Sequence, residues 1–510
     1  MRCPLLTRRA PHVSAVPTAL DPSLPGSHRR PPRSIGSLPE IGTAVHPLAA
    51  SLNALLETPE ADVALWGVHV RSLDSGEEIY DHEGDRLVLP ASTMKLVTLA
   101  VAAERLGWDY RYETELLSAA PVVDGVLQGD LVVRGSGDPS INAEGASGTP
   151  VFDLWTETLR QDGISAIEGR IIGDDNLVEE AAPGYGWSWD DLPYGYAAPT
   201  GALVHRDNMV RLTVHSGSVA GEDTLVEVSP RASGVRVVNR VDTDIPDAEV
   251  ELALRRGPDG TLEVWGAIPA SGPPVSRTAS IANPTVFFVR GLKQALQRGG
   301  IRVSGDPVDL DDIDDRTIGG PLRALLRHQS PPLSALATTL MQTSRNLYAE
   351  TLLHTLDQRR RPRTAEAGRA AIRDVLETWE IGPSEVIVAD GSGLSRYNYV
   401  TARALVDVLG RMQDDPRHAD AFMDTLPVAG VSGTLATRMV GTAAEGNARA
   451  KTGSMANVRT LSGYVTSADN ERLAFAVLAN NFPGSAAPIL SVIDRLVEQL
   501  AQSTRSDSGR

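Results

Sequence analysis

Ala448-Arg449-Ala450-Lys451-Thr452-Gly453-Ser454, then Val458-Arg459-Thr460-Leu461-Ser462-Gly463-Tyr464-Val465-Thr466, then Arg472-Leu473-Ala474-Phe475-Ala476-Val477-Leu478-Ala479 is the stretch on which the fold turns. Short apolar runs rich in β-branched and aromatic residues, punctuated by polar breaks, predict strands over 448–452, 458–466 and 472–479. An apolar periodic segment then predicts a last helix over 487–500. Three closing strands need partners, and the other end of the chain offers them. Alternation predicts strands over 64–73 and near Glu78, joined by the turn Asp74-Ser75-Gly76. Before them Leu48, Leu52, Leu55 and Leu56 recur on one face of a helix over 45–58. After them Leu87-Val88-Leu89-Pro90-Ala91 leads into a helix over 92–106, with Gly107 as its stop. A sheet fed from both chain ends, with helices between, is an α+β domain.

The middle of the chain has another texture. From about 110 to 310, Gly, Asp and Pro separate short strands such as 129–134 and 168–172, and a helix over 285–298 closes the segment. An acidic connector, 309–315, follows, and helices are expected to dominate from about 321. The expected layout is therefore one α+β domain made of 43–108 and 314–502, interrupted by a mainly β insertion over 109–313. That insertion is expected to be divided in two, with an inner part at about 141–200. Residues 1–42, rich in Pro, Arg and Ser, read as a disordered leader. They lack the apolar core of about 7–15 residues that a secretory signal peptide needs, so either the true start lies elsewhere or export uses another signal. Residues 503–510 read as a polar tail.

Composition removes several function classes. The 510 residues carry a formal charge of −17, and 42% hydrophobic with 22% charged content is that of a soluble globular protein. A polyanion would be repelled, which argues against a nucleic-acid partner. No apolar run of about 18 residues is present, so no transmembrane helix is expected. The single cysteine, Cys3, excludes an internal disulfide and a Cys-x-x-Cys pair, and the 10 histidines contain no His-Glu-x-x-His. No metal and no cofactor are expected.

Lysine is the sharpest signal. Of 48 basic residues, 45 are Arg and the remaining three are Lys95, Lys293 and Lys451. Arg cannot give up its proton, whereas a desolvated Lys can. Lys293 stands alone on a helix and reads as incidental. Lys95 belongs to Ser92-Thr93-Met94-Lys95 at a helix start, where hydroxyl and amine at i and i+3 share a face. The turn also places backbone N–H groups near the attacked carbonyl. Alone this could be a helix cap beside an unrelated Lys, an arrangement met about once in five chains of this composition. Lys451-Thr452-Gly453 is rarer, about once in fifty. It presents a cation and a hydroxyl to a carboxylate, a Gly that lets a substrate backbone approach, and a following N–H for an oxyanion. Between the two lies Ser344-Arg345-Asn346, common by itself but informative by order.

These three motifs, in this order, resemble the low-molecular-mass class C penicillin-binding proteins, the D-alanyl-D-alanine carboxypeptidase/endopeptidase family. Further stretches are similar to segments of that family: Gly129-Asp130-Leu131, Gly135-Ser136-Gly137-Asp138-Pro139, Asn346-Leu347-Tyr348-Ala349-Glu350, Asp390-Gly391-Ser392-Gly393-Leu394-Ser395 and Leu426-Pro427-Val428-Ala429-Gly430. The resemblance spans about 45–500 and implies a β-lactamase/transpeptidase-like domain, an antiparallel sheet flanked by helices, with the long insertion characteristic of this class. It implies Ser92 as nucleophile, Lys95 as general base, Ser344 as proton relay to the leaving amine, and Asn346 as holder of the substrate amide and the Lys95 amine. Lys451 and Thr452 would bind the terminal carboxylate, and the Lys451 charge would depress the Lys95 pKa. Ser92 and Ser454 would supply oxyanion N–H groups. Arg345 departs from the family, which more often has a short polar or acidic residue there; its side chain is expected to point away. The missing signal peptide is a second departure.

Trp187-Ser188-Trp189-Asp190-Asp191, with Tyr194 and Tyr196, is either a loop packed on its own aromatics or a wall that grips the substrate side chain. In the second case Asp190 and Trp187 bind the side chain, with Met455 and Arg396 near the same pocket, while Gly453 faces the substrate backbone. The loop Asp390–Gly393 is expected to be structural. The resemblance implies peptidoglycan stem peptides as partners, β-lactams as covalent inhibitors and a periplasmic or otherwise extracytoplasmic place of action. A β-lactamase or esterase on the same scaffold and a non-catalytic penicillin sensor are the competing readings. The oligomeric state is left open.

Overall fold

The computed structural model describes residues 47–143, 145, 148–179, 183–314 and 318–505. The expected leader lies outside the described residues, as do residues 506–510 of the tail. The start of that tail is held: Arg505 donates to the Glu471 carboxylate at 2.9 Å.

The sequence ends do meet in one sheet. Its 5 strands run in the order Glu78–His82, Leu65–Ser72, Arg472–Asn480, Val458–Thr466, Arg449–Met455, and each neighbouring pair is antiparallel. Side chains of Arg472–Asn480 alternate between two cores, as pleating dictates. Phe475, Val477 and Ala479 pack with Leu52 of the helix Pro47–Leu56 and Ile493 of the helix Ala487–Gln502. Ala474, Ala476 and Leu478 face the helices Met94–Leu106 and Ala402–Asp414. This strand is buried on both sides, which is why it reads as a continuous apolar run.

Met94–Leu106 is the central helix. Every residue from Met94 to Ala103 is buried, so the helix is apolar all round and shows no polar face. Its one charged member within that run, Lys95, is consequently removed from water. Ser92 lies just ahead, in a 3₁₀ turn Ala91–Thr93 rather than in the α-helix itself.

The insertion holds four sheets, and they do not follow the expected inner division. A 5-stranded sheet orders Pro307–Asp309, Ile171–Asp174, Leu131–Arg134, Glu113–Ser118 and Arg323–Gln329. A small 4-stranded sheet joins Ala166–Ile167 to Arg302–Val303 and Val126–Leu127. The strands within 141–200 are thus paired with strands on either side of that range. The separately cored part is instead 209–280, with two 3-stranded sheets around Val210, Leu212, Val264 and Ile268. Arg323–Gln329 was expected among helices; its pairing with Glu113–Ser118 carries the insertion's sheet past residue 313. The helix Pro284–Arg298 forms where expected, capped by the Asn283 carboxamide, which accepts from Val286 N at 2.8 Å.

Candidate active site

The turn that bears Ser92 is held in an uncommon conformation. Ala91 has φ +46°, costly for a residue with a Cβ. The Pro90 carbonyl beside it accepts from Thr93 Oγ1 at 2.7 Å and from Thr460 Oγ1 at 2.8 Å, which ties the turn to the sheet. Two glycines make that approach possible. A Cβ on Gly393, φ +86°, would lie 1.8 Å from the Ala91 carbonyl oxygen. A Cβ on Gly453 would lie 2.0 Å from Thr460 Oγ1 and 2.7 Å from the Pro90 carbonyl oxygen. Gly453 therefore admits the turn that bears Ser92; the space beside it is filled by protein rather than left for substrate.

Lys95 reaches back one turn, placing Nζ 2.8 Å from Ser92 Oγ. Its other partners are Asn346 Oδ1 at 2.7 Å and the Ser392 carbonyl at 2.6 Å. Those two oxygens can only accept. A neutral amine has two hydrogens and one lone pair; if the hydrogens go to the two acceptors, the lone pair faces Ser92, whose hydroxyl can donate. Burial lowers the Lys95 pKa to about 7, although Asp390 and Glu350 pull it upward. Burial, rather than repulsion from Lys451, is the leading cause. The like-charge effect is seen on Lys451, whose pKa falls well below its ordinary value through burial first and Lys95 second.

Ser344 and Asn346 come from the junction of two helices, Leu333–Thr343 and Asn346–Thr355. Ser344, at φ +57°, ends the first, and Asn346 begins the second. Lys451 Nζ donates to Ser344 Oγ at 2.8 Å and to its neighbour's carbonyl, Thr452 O, at 2.8 Å. Asn346 spends its amide hydrogens elsewhere: Nδ2 donates to the Tyr196 carbonyl of the insertion at 2.8 Å. Thr452 Oγ1 donates to Thr434 Oγ1 at 2.8 Å.

A pocket of about 510 Å³ opens above these groups. Of the residues singled out in the sequence, Ser92, Asp190, Ser344, Asn346, Arg396, Thr452, Ser454 and Met455 line it. Lys95 and Lys451 lie beneath, fully buried. Trp187 is not on the lining. Its indole Nε1 donates to Asp390 Oδ2 at 2.8 Å, so the ring supports the loop below the pocket. Asp190 stands exposed on the rim, its carboxyl held below the usual range by a hydrogen bond from Ser188 and, among lesser causes, the nearby Arg396 charge.

The sequence assigned no role to Glu350, Thr434 or the Tyr196 carbonyl. Glu350, one helical turn after Asn346, is buried, and its Oε1 accepts from Gly391 N at 3.1 Å and Ser392 N at 2.8 Å. It thereby aims the Ser392 carbonyl that Lys95 uses. Asp390 holds the other side of the same loop through Gly393 N and Ser395 N, both at 2.7 Å. Glu350 had a visible signal, its place in Asn346-Leu347-Tyr348-Ala349-Glu350. Thr434 and the Tyr196 carbonyl had none, because only folding brings them to the site.

The family model of the D-Ala-D-Ala carboxypeptidase 3 (S13) family matches residues 48–502. The chain belongs to that family. It is 33% identical over 481 residues to a D-alanyl-D-alanine carboxypeptidase of Actinomadura sp. strain R39, a match that covers 90% of this chain and 86% of the relative. Among solved structures, penicillin binding protein 4 of Haemophilus influenzae superposes with a TM-score of 0.78 at 26% identity, over 89% of this chain and 99% of that one. A structure of the same Haemophilus protein complexed with a β-lactam shares the fold, with a TM-score of 0.71 over 89% of this chain and 99% of that one, at 24% identity. As an S13 peptidase, the chain is a hydrolase built on the penicillin-binding scaffold.

Proposed function

We propose that this S13 chain is a serine-type D-Ala-D-Ala carboxypeptidase, D,D-endopeptidase or both, acting on peptidoglycan stem peptides outside the cytoplasmic membrane, in the periplasm where there is one. The observation that carries the mechanism is the Lys95 amine held between two fixed acceptors and the Ser92 hydroxyl. Lys95 takes the Ser92 proton as Oγ bonds to the carbonyl carbon of the penultimate D-Ala. The resulting oxyanion is met by the N–H groups of Ser92 and Ser454. The C–N bond then breaks, and Ser344, backed by Lys451, relays to the departing amine the proton that Lys95 took, which leaves Lys95 neutral and Ser344 unchanged. Water repeats the sequence on the ester and frees Ser92. The terminal carboxylate is held by the Lys451 charge and the Thr452 and Thr434 hydroxyls, and Asp190 attracts the free amine of a diamino side chain. The named activity of the Actinomadura relative supports this substrate class. No helix among the described residues is long and apolar enough to cross a membrane.

A β-lactam offers the same reacting carbonyl with a leaving amine that stays tethered, so it acylates Ser92. Fluorescent penicillin should label the wild type in a long-lived adduct and leave Ser92→Ala unlabelled; label on Ser92→Ala would refute the nucleophile. Rapid turnover of the label would point to a β-lactamase. Mass spectrometry of digested muropeptides separates loss of one D-Ala from cutting of dimers.

The acylation rate should also follow the Lys95 proton. Below about 7 the amine carries its third hydrogen and cannot accept from Ser92, so the rate should fall about tenfold per pH unit; above it the lone pair is free and the rate should level off. A rate that stays flat between about pH 5.5 and 8 would remove Lys95 as the base.

A further inference from the structure

The insertion touches the Ser344-Arg345-Asn346 junction by more than the Tyr196 carbonyl. Arg345 turns its side chain away from the pocket, and its Nη1 donates to Asp207 Oδ2 at 2.5 Å. Asp207 is 3% exposed, while Arg345 keeps part of its side chain in solvent, so the carboxylate is the desolvated partner and the one that would be left uncompensated if Arg345 were truncated. Asp207 sits in an unusual piece of backbone. Arg206, Asp207 and Asn208 have φ of +51°, +54° and +51°, a left-handed turn built from residues with a Cβ.

Such a turn persists only when its surroundings over-determine it, and they do. His205, at its foot, stacks on Phe152 with ring centres 4.6 Å apart and meets Phe287 at 5.0 Å. Asn208 closes the turn, accepting from His205 N at 3.1 Å and donating to the Pro199 carbonyl at 2.9 Å. Farther along, Thr200 Oγ1 bonds Thr351 Oγ1 at 2.8 Å, on the helix that Asn346 starts. The segment 196–208 of the insertion is therefore anchored in the insertion's aromatic core at one end and laid along the catalytic junction at the other.

We infer that Asp207 is a positioning residue for the reaction, reaching from the insertion through Arg345 to set the orientation of Ser344 and Asn346. Arg345 is the single residue between them, at the join of two helices. Rotation of its backbone swings Ser344 Oγ off Lys451 and Asn346 Oδ1 off Lys95. A guanidinium clamped on a buried carboxylate of a rigid turn opposes that rotation. This also accounts for Arg at a place where the family more often has a short residue: here the middle position serves as the tether to the insertion.

The inference rests on the acyl-enzyme reading of Ser92, and the test separates the two. Acylation by fluorescent penicillin and hydrolysis of a D-Ala-D-Ala peptide are measured on full-length variants at a temperature where circular dichroism shows them folded. Asp207→Asn and Arg345→Met should each lower the acylation rate about 10–100-fold, the size expected of a misplaced reacting group, with little change in the non-covalent binding constant. The double variant should be no worse than either single one, because both remove the same tether. Asp130→Asn, which breaks the insertion's own pair with Arg170 (2.6 Å), serves as control and should acylate within about twofold of wild type. Folded Asp207→Asn that acylates like wild type, or single effects that multiply in the double variant, would overturn the inference. If Asp207→Asn does not fold, Arg345→Met alone decides in the same terms. A wild type unlabelled at Ser92 would instead overturn the acyl-enzyme reading, and the inference with it.

Discussion

Lys95→Arg should lower acylation of Ser92 about 10²–10⁴-fold, the usual contribution of a positioned base. The charge is kept while the ability to accept a proton is lost, because a guanidinium does not deprotonate in a protein. Lys95 is fully buried, so the bulkier group also over-packs the centre of the domain, at about 1–3 kcal/mol. Lys95→Gln separates the two effects: it adds no volume, still donates to the Ser392 carbonyl, and should lose as much rate with a smaller fall in stability. A Lys95→Arg enzyme acylated near the wild-type rate, measured as bound label against time, would end the role assigned to this amine.

The second large effect belongs to Glu350. Glu350→Ala strands the Gly391 and Ser392 N–H groups in the interior and leaves a cavity. At about 1–3 kcal/mol for each buried unsatisfied group, the loss should reach about 3–5 kcal/mol. The Ser392 carbonyl would move with its loop, and a shift of about 1 Å there should cost about 10²-fold in acylation. Glu350→Gln should be nearly silent. Both N–H groups use Oε1, which the amide keeps, and burial followed by the neighbouring Asp390 charge pushes the Glu350 pKa well above the usual carboxylate range, so removing the charge costs little. Thermal melts and acylation rates of the two variants test this. A Gln variant as damaged as the Ala variant would mean that the charge, and not the acceptor, is what the loop requires.

The strands of the main sheet and the principal helices were legible because each carries its signal locally: apolar runs for strands buried on both faces, Gly107 as a stop. The three motifs that meet at the pocket were legible for a different reason. In a chain that uses Arg almost everywhere, two of its three lysines, Lys95 and Lys451, fall in the two motifs that call for Lys. The division of the insertion was not legible, because two-residue strands such as Ala166–Ile167 have no period of their own and take their identity from partners elsewhere in the chain, Val126–Leu127 before them and Arg302–Val303 far after. Trp187 was misplaced for a related cause: an indole in an aromatic loop suits a pocket wall and a half-buried support equally, and only its bond to Asp390 tells them apart.

What the amino-acid order determined by itself is the set of reacting groups, since hydroxyl, amine and cation are properties of residue types at fixed spacings. Tertiary structure alone decided which amine can lose its proton and what aims it. Desolvation depends on how completely a helix is wrapped, and the acceptors around Lys95 come from positions 251 and 297 residues away in the chain. Proximity of that range is a consequence of packing, and packing is written in no short stretch of sequence.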